Sequence, residues 1–337
     1  MSLKSSGPTI KDVARRAGVS VKTVSRVLGG AANVRDETRA HVEQVMEDME
    51  YTPSAAARQL RGQHTGVLAV VSEDVATTPD AIEIVRGIQS VVDERDMILM
   101  IGETNGSAAA LRRVIDTFRS QRVDAIIRAS MSHRELSEGP QVSSIPMVLV
   151  NGFEPIDRYI TVLPNEREGG RAATQALLSR GHTRIAALTL CEDLVATRLR
   201  MHGYREALSA AGIAYDPDLV ACASHDGSDD AYGPVAEQVV RLLSLAQPPT
   251  AVLAGNDKLA MRLLMELARQ GVSVPDEMSV VGYDDYKPIS ENVRPRLSTV
   301  RLPYFEMGRR AARLALDGSD EQRVLVEGRY VSRESAV

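Results

Sequence analysis

The sequence predicts a small all-helical head joined to a larger α/β body. Residues 9–49 place their apolar side chains at helical spacing. From Gly66 onward, short aliphatic runs alternate with amphipathic segments. Charge separates the same two parts. Residues 1–63 carry a net charge of +3 and the remainder −8, within a chain of net −5. A basic head on an acidic body places any phosphate-binding surface at the head.

In the head, Thr9 and Asp12 form a box-like start to a first helix that turns Val13, Ala14 and Ala17 to one side. Gly18 supplies the turn, and Ser20 caps a second helix whose Val24, Val27 and Leu28 face inward. Lys22 and Arg26, four residues apart, fall on the outward face with Thr23 and Ser25 at their flanks. Buried aliphatics behind exposed Lys, Arg and hydroxyls are what a helix-turn-helix needs to enter a DNA major groove. A third helix, from about Asp36 to Met49, closes the head with Val42, Val45, Met46 and Met49 inward. Arg35 precedes it and cannot cap, so Asp36 is expected to take that role. The segment from Pro53 to Gly62 favours helix but is too short to hold one alone in water.

The body reads as alternating strands and helices. The first set is strand Val67–Val71, helix Asp80–Asp93, strand Met97–Ile101, helix Ser107–Ser120, and strands Asp124–Ile127 and Met147–Val150, and the second set follows after Tyr159-Ile-Thr-Val162. The second set runs through helix Glu166–Leu178, strand Ile185–Leu190, helix Thr197–Ala211, strand Leu219–Ala223 and helix Asp229–Leu245. Strand Thr250–Leu253, helix Asp257–Arg269, strand Met278–Val281 and helix Phe305–Asp317 complete it. Such units build parallel sheets covered by helices, here as two lobes, with ligand expected where the strand C-termini face a cleft.

The run Thr9-Ile-Lys-Asp-Val-Ala, continued by Ala17-Gly-Val-Ser and Thr23-Val-Ser-Arg-Val-Leu, resembles the N-terminal signature of the lactose-repressor (LacI/GalR) family of bacterial transcription regulators. The resemblance continues through Arg180-Gly-His-Thr-Arg-Ile185, Gly203-Tyr204, Ala254-Gly-Asn-Asp257 and Val274-Pro-Asp276. It reaches Ser279–Asp285, Pro295–Arg301 and Arg333-Glu-Ser335. It implies periplasmic-binding-protein-like lobes of doubly wound parallel sheets. Residues 1–52 are then the DNA-binding head, 53–64 a hinge helix and linker, and 65–337 the effector-binding and dimerisation core. One lobe would span about 65–162 and 290–325, the other about 163–289 and 326–337. In the head, Lys22 and Arg26 are expected to read guanine edges and Val21 a thymine methyl, while Thr9, Ser20, Thr23 and Ser25 meet phosphates. In the hinge, Leu60 matches the family's minor-groove wedge, with Arg58 and Arg61 flanking it near phosphates.

Arg200, Asn256 and Asp284 stand at strand or helix ends and match the family's effector-contacting positions. Guanidinium, amide and carboxylate together suit a ligand whose hydroxyls both donate and accept. Other positions depart from the pattern. Thr77-Thr-Pro-Asp80 replaces an aromatic-bearing run, Asn151 replaces an aspartate after the fourth strand, and no aromatic stands near Ser228. Without Trp and with three Phe in the chain, stacking on a sugar ring is poorly supported. Arg128 is either a second cation in the cleft, suited to an acidic or phosphorylated ligand, or a residue paired with Asp124 or Glu135 or turned to solvent. Cys191 and His133 also lie near strand ends, as weaker candidates.

Composition excludes several classes. No apolar run approaches a membrane span and no export leader opens the chain, so a cytoplasmic place is expected. Two cysteines make no disulfide framework, and six scattered histidines make no metal site. No phosphate-cradling glycine loop and no nucleophile–base pair suggests an enzyme, and no cofactor is implied. The expected protein is a homodimeric repressor on near-palindromic operator DNA, switched by a sugar or sugar derivative. The alternative is a solute receptor without a transcriptional role.

Overall fold

The computed structural model describes residues 8–29, 31, 33–51, 64–79, 81–140, 142, 144–190, 193–224 and 231–336. The hinge reading, with Arg58, Leu60 and Arg61, lies outside the described residues, as do Met1–Gly7, Cys191 and His225–Asp230. The chain forms two compact units, Met1–Gly66 and Val67–Val337.

The first unit contains α1 (Ile10–Arg16), α2 (Val21–Leu28) and α3 (Asp36–Asp48). The capping box at Thr9 and Asp12 is present, Ser20 caps α2, and Gly18 takes the left-handed φ of +66° between them. Val13, Ala14, Ala17, Val24, Val27, Val42 and Val45 form the core, with Leu28 half-buried against it. Arg39 donates to the Ala31 carbonyl at 2.8 Å, tying the loop after α2 to α3. One expectation fails here. Arg35 occupies the N-cap without a side-chain bond, and Asp36 is the first helical residue. Asp36 therefore acts through its charge near the helix N-terminus rather than as a cap.

The second unit is built on two six-stranded sheets. The first has the order β11-β5-β4-β3-β1-β2, with β1 (Val67–Glu73), β2 (Ile98–Glu103), β3 (Ala125–Glu135), β4 (Met147–Phe153), β5 (Ile160–Pro164) and β11 (Arg323–Val326). All its pairings are parallel. Helices α4 (Ile82–Glu94) and α11 (Tyr304–Asp317) cover one face and α5 (Ala108–Gln121) the other. The second sheet has the order β12-β10-β9-β8-β6-β7, with β6 (Ile185–Thr189), β7 (Val220–Cys222), β8 (Ala251–Ala254), β9 (Ser279–Asp284), β10 (Ser298–Arg301) and β12 (Arg329–Val331). Helices α6 (Glu166–Leu178) and α7 (Val195–Ala210) cover one face of it, and α8 (Val235–Leu243) and α9 (Asp257–Arg269) the other. A short α10 (Lys287–Ser290) follows β9.

The chain changes sheet after β5, after β10 and after β11. This corrects the expected lobe boundary. Residues 290–301 belong to the second lobe, because β10 pairs with β9, and the crossing falls just before α11. Strands β10, β11 and β12 are too short and too polar to announce themselves by periodicity. β12 is also antiparallel to β10, a pairing that alternating strand–helix units do not predict. β3 runs on to Glu135, well past the expected Ile127.

Two packing features fix the body. Helices α4 and α11 cross at glycines, since a Cβ on Gly308 would stand 2.1 Å from the Ile84 carbonyl oxygen and one on Gly87 2.0 Å from that of Phe305. Asp257, fully buried at the start of α9, accepts from the Thr299 hydroxyl and the Tyr286 amide, each at 2.7 Å. Burial pushes its carboxyl up to about 7, and these two bonds only partly oppose it.

Gly308→Ala is expected to cost about 1–3 kcal/mol by forcing the helices apart, read as a lowered urea midpoint. Asp257 holds its proton more tightly when folded. Its contribution is therefore full below the ordinary value of 3.8 and is lost as pH rises to about 7. The wild type should lose stability across that window relative to Asp257→Asn, measured by urea denaturation at each pH.

Candidate nucleic-acid interface and effector cleft

On the head, Lys22, Arg26 and Val21 are exposed on one helix, with Val21 at 42 % exposure. Neither cation is tied to an acid among the described residues. Ser20 Oγ accepts from the Thr23 amide at 3.0 Å and shares a hydrogen bond with the Thr23 hydroxyl at 2.9 Å. Ser25 is half-buried beside Arg26. Thr9 is different. Its amide and hydroxyl both donate to Asp12 Oδ2, at 3.0 and 2.6 Å. That corrects the reading of Thr9 as a phosphate donor, because its two donors are already used to start the helix.

In the body, three of the five predicted cleft residues, Arg200, Asp284 and Asn151, lie near the lobe junction, around a pair the sequence did not reveal. Glu166 is the first residue of α6, immediately after the first crossing, and is 2 % exposed. Its carboxylate accepts from Arg200 Nε at 2.8 Å and Nη2 at 3.0 Å. Arg200 Nη1 donates to the Gly255 carbonyl at 2.6 Å, and Asp284 Oδ1 lies 3.8 Å from Nη2. The guanidinium lies over the Tyr283 ring, 3.6 Å from its centre. Burial opposes the charge of Arg200, but Glu166, Tyr283 and Asp284 together raise its pKa, so it stays a cation.

Glycines make this pair possible. A Cβ on Gly170 would meet the Arg200 backbone at 2.2 Å, and one on Gly203 the Arg167 carbonyl at 2.0 Å. The two helices bearing the pair therefore touch backbone to backbone. A Cβ on Gly169 would strike the Tyr283 hydroxyl at 1.9 Å. That hydroxyl bonds Glu166, and burial followed by the carboxylate pushes its pKa up.

The remaining predicted residues divide. Asp284 ends β9 with φ of +107° and is partly exposed beside Arg200. Asn151 lies within β4, two residues before its end, with φ of +56°, and is fully buried. Its Nδ2 donates to the Ser130 and Met131 carbonyls, both at 3.1 Å, while its Oδ1 has no hydrogen-bond partner among the described residues. It lies against Tyr304, whose phenol also feels Asp284, Glu166 and Arg200. Asn256 is committed to the fold. It caps α9 by accepting from the Leu259 amide at 2.8 Å, and its Nδ2 donates to the Tyr232 hydroxyl at 3.0 Å. Arg128 is corrected outright. It is 2 % exposed, donates to Glu73 at 2.7 Å and Glu154 at 3.2 Å, and reaches the Ser137 carbonyl at 3.0 Å. Its charge is spent inside the first lobe, on neither Asp124 nor Glu135.

Two cavities straddle the lobes. One of about 590 Å³ is lined by His133, Phe153, Glu166, Arg167, Leu199 and Arg323. The other, of about 470 Å³, is lined by Glu83, Arg86, Asp284, Arg301, Tyr304 and Phe305. His133, only a weak candidate from sequence, is buried, its Nδ1 has no hydrogen-bond partner among the described residues, and burial lowers its pKa. Glu166 and Tyr304 escaped sequence reasoning. An acid in a first helical turn reads as ordinary dipole complementation, and Tyr304 lay one residue before the expected start of its helix.

Comparison with known proteins agrees with this architecture. Residues 9–54 match the model of bacterial regulatory proteins of the lacI family, and 174–336 match a periplasmic binding protein-like domain. The HTH-type transcriptional regulator GalS of Salmonella typhimurium is 36% identical over 92% of this chain and 90% of its own. Among solved structures, the transcriptional regulator CelR–cellobiose complex is 31% identical with a TM-score of 0.66, covering 98% of this chain and 100% of that one. The Lac repressor dimer bound to operator and the anti-inducer ONPF is 25% identical with a TM-score of 0.75, covering 98% and 99%. The helix-turn-helix head and the two-lobed body thus identify the chain as a member of the LacI family of DNA-binding bacterial transcriptional regulators.

Proposed function

We propose that this regulator is a cytoplasmic, homodimeric repressor. Each head reads half of a near-palindromic operator, and a small polar effector, a sugar or sugar derivative, binds between the lobes. The observation that carries the effector reading is the meeting of Arg200, Asp284, Tyr304 and Asn151 at the lobe junction, where a ligand would touch both lobes at once. A ligand so placed binds open and closed arrangements unequally, which is what coupling to operator affinity requires. Asn256 uses one amide hydrogen on Tyr232 among the described residues, and the other would be offered to the ligand. Arg128 drops out of the effector set.

Homodimerisation is supported by exposed apolar side chains. Ile98 and Ile101 stand 63 % and 42 % exposed on the edge strand β2, and Val240 and Met265 are 47 % and 62 % exposed on α8 and α9. In the head, Lys22 and Arg26 read bases, Val21 meets a methyl group, and Ser20, Thr23 and Ser25 set register on phosphates. The hinge with Leu60 as wedge, flanked by Arg58 and Arg61, rests on the sequence resemblance.

With an operator selected from a randomised duplex library, Arg26→Ala should cost about 1–3 kcal/mol and relax specificity at one position per half-site, read by anisotropy across single-base variants. Unchanged discrimination would remove Arg26 as a base reader. Arg200→Ala is a poor probe of the cleft, because it leaves Glu166 buried without its cation at a cost of about 3–5 kcal/mol. Asp284→Asn removes only a partly exposed charge. It should bind operator yet lose the effector response in a DNA-release assay, and a normal response would refute the cleft assignment. Leu60→Ala should weaken operator binding with effector binding intact, compared by gel shift and calorimetry.

A further inference from the structure

The cleft arginine expected to receive the effector is already held by a carboxylate of the chain itself. Glu166 takes the Nε/Nη2 edge of Arg200, the edge that would otherwise grip a carboxylate or phosphate in parallel bonds. Nη1 is bonded to the Gly255 carbonyl, and Asp284 stands on the remaining side of Nη2. The centre of the site therefore carries one cation against two carboxylates.

The arginines lining the two cavities are likewise paired. Arg167 bonds Glu206, Arg171 bonds Glu168, and Arg323 bonds Asp157. Arg86 bonds Glu83, and Arg301 bonds Asp285. The lining lysine, Lys287, is exposed at the rim. Meanwhile the Asn151 amide is oriented by two carbonyls and hydrogen-bonded to the Tyr304 phenol, and its Oδ1, an acceptor, has no hydrogen-bond partner of its own among the described residues.

We propose that Glu166 acts as a built-in occupant of Arg200 that closes the cleft to anionic ligands, so that the effector is an uncharged or cationic donor-rich molecule, a polyol or an amine-bearing polyol, whose hydroxyl or ammonium hydrogens reach Asp284 and Asn151 Oδ1. This rests on the effector reading above and specifies the chemistry of that same site. It reverses the expectation of an acidic or phosphorylated ligand that Arg128 had suggested. A single change at Glu166 converts the selectivity, because it frees a planar guanidinium already packed on Tyr283 and anchored at Gly255.

The probe is inorganic phosphate, added to the full-length chain against chloride at matched ionic strength and followed by thermal shift and calorimetry. The wild type should show no saturable phosphate binding. Glu166→Gln should bind phosphate at least about tenfold more tightly, and Glu166→Gln combined with Arg200→Gln should lose that gain. Wild-type binding equal to that of Glu166→Gln overturns the proposal, as does a folded Glu166→Gln chain that gains nothing. Should Glu166→Gln not fold, the wild type decides alone with sugars matched except for charge. Saturable binding of gluconate or glucose 6-phosphate there overturns the proposal, and stabilisation by glucose or glucosamine without it supports it. These outcomes are separate from the effector reading, which fails only if Asp284→Asn leaves the DNA-release response intact.

Discussion

The body of this protein depends on one buried contact, the bidentate pair between Glu166 and Arg200. Glu166 begins the first helix after the chain leaves the first lobe, and Arg200 lies on the neighbouring helix of the second. Each charge would be costly if buried alone, and each is tolerated because the other is held in hydrogen-bonding geometry. Three glycines bring the partners within reach by removing side chains where helix meets helix and helix meets Tyr283. The pair therefore ties together two helices of the second lobe and sets the electrostatics of the cleft beside them.

Around that contact the two lobes contribute different things. The second lobe supplies charge through Arg200 and Asp284, while the first supplies a buried amide at Asn151 and the edge of Tyr304. The charged network of the first lobe, centred on Arg128, closes on itself through Glu73, Glu154, Arg134 and Arg158. It shapes the lobe and presents no cation to a ligand. Such a division suits a switch, since a ligand bridging an amide in one lobe and a carboxylate in the other rewards a particular angle between them.

The sequence made some of this legible and hid the rest for physical reasons. The head was readable because its turn chemistry and 3.6-residue periodicity are local. Thr9, Asp12, Gly18 and Ser20 do in the structure what their types do anywhere. The alternating body was readable because buried parallel strands are continuous aliphatic runs. The last three strands were not, since β10, β11 and β12 are three or four residues long and take their places from partners far away in the chain. Arg200 and Asp284 were found as candidates from their places at element ends and from the family resemblance. The partner of Arg200 was invisible, because Glu166 lies thirty-four residues away and looks like any acid in a first helical turn. Arg128 misled for the opposite reason. A lone arginine in an aliphatic strand suggests a ligand, and only the fold reveals Glu73 and Glu154 beside it.

The most direct measurement is an operator-release titration on the full-length chain, read by anisotropy of a labelled operator. The titrants are hexoses in four matched forms: uncharged, amine-bearing, acidic and phosphorylated. The account predicts that release or tightening is confined to the uncharged and amine-bearing forms. A response confined to the acidic or phosphorylated forms would contradict it.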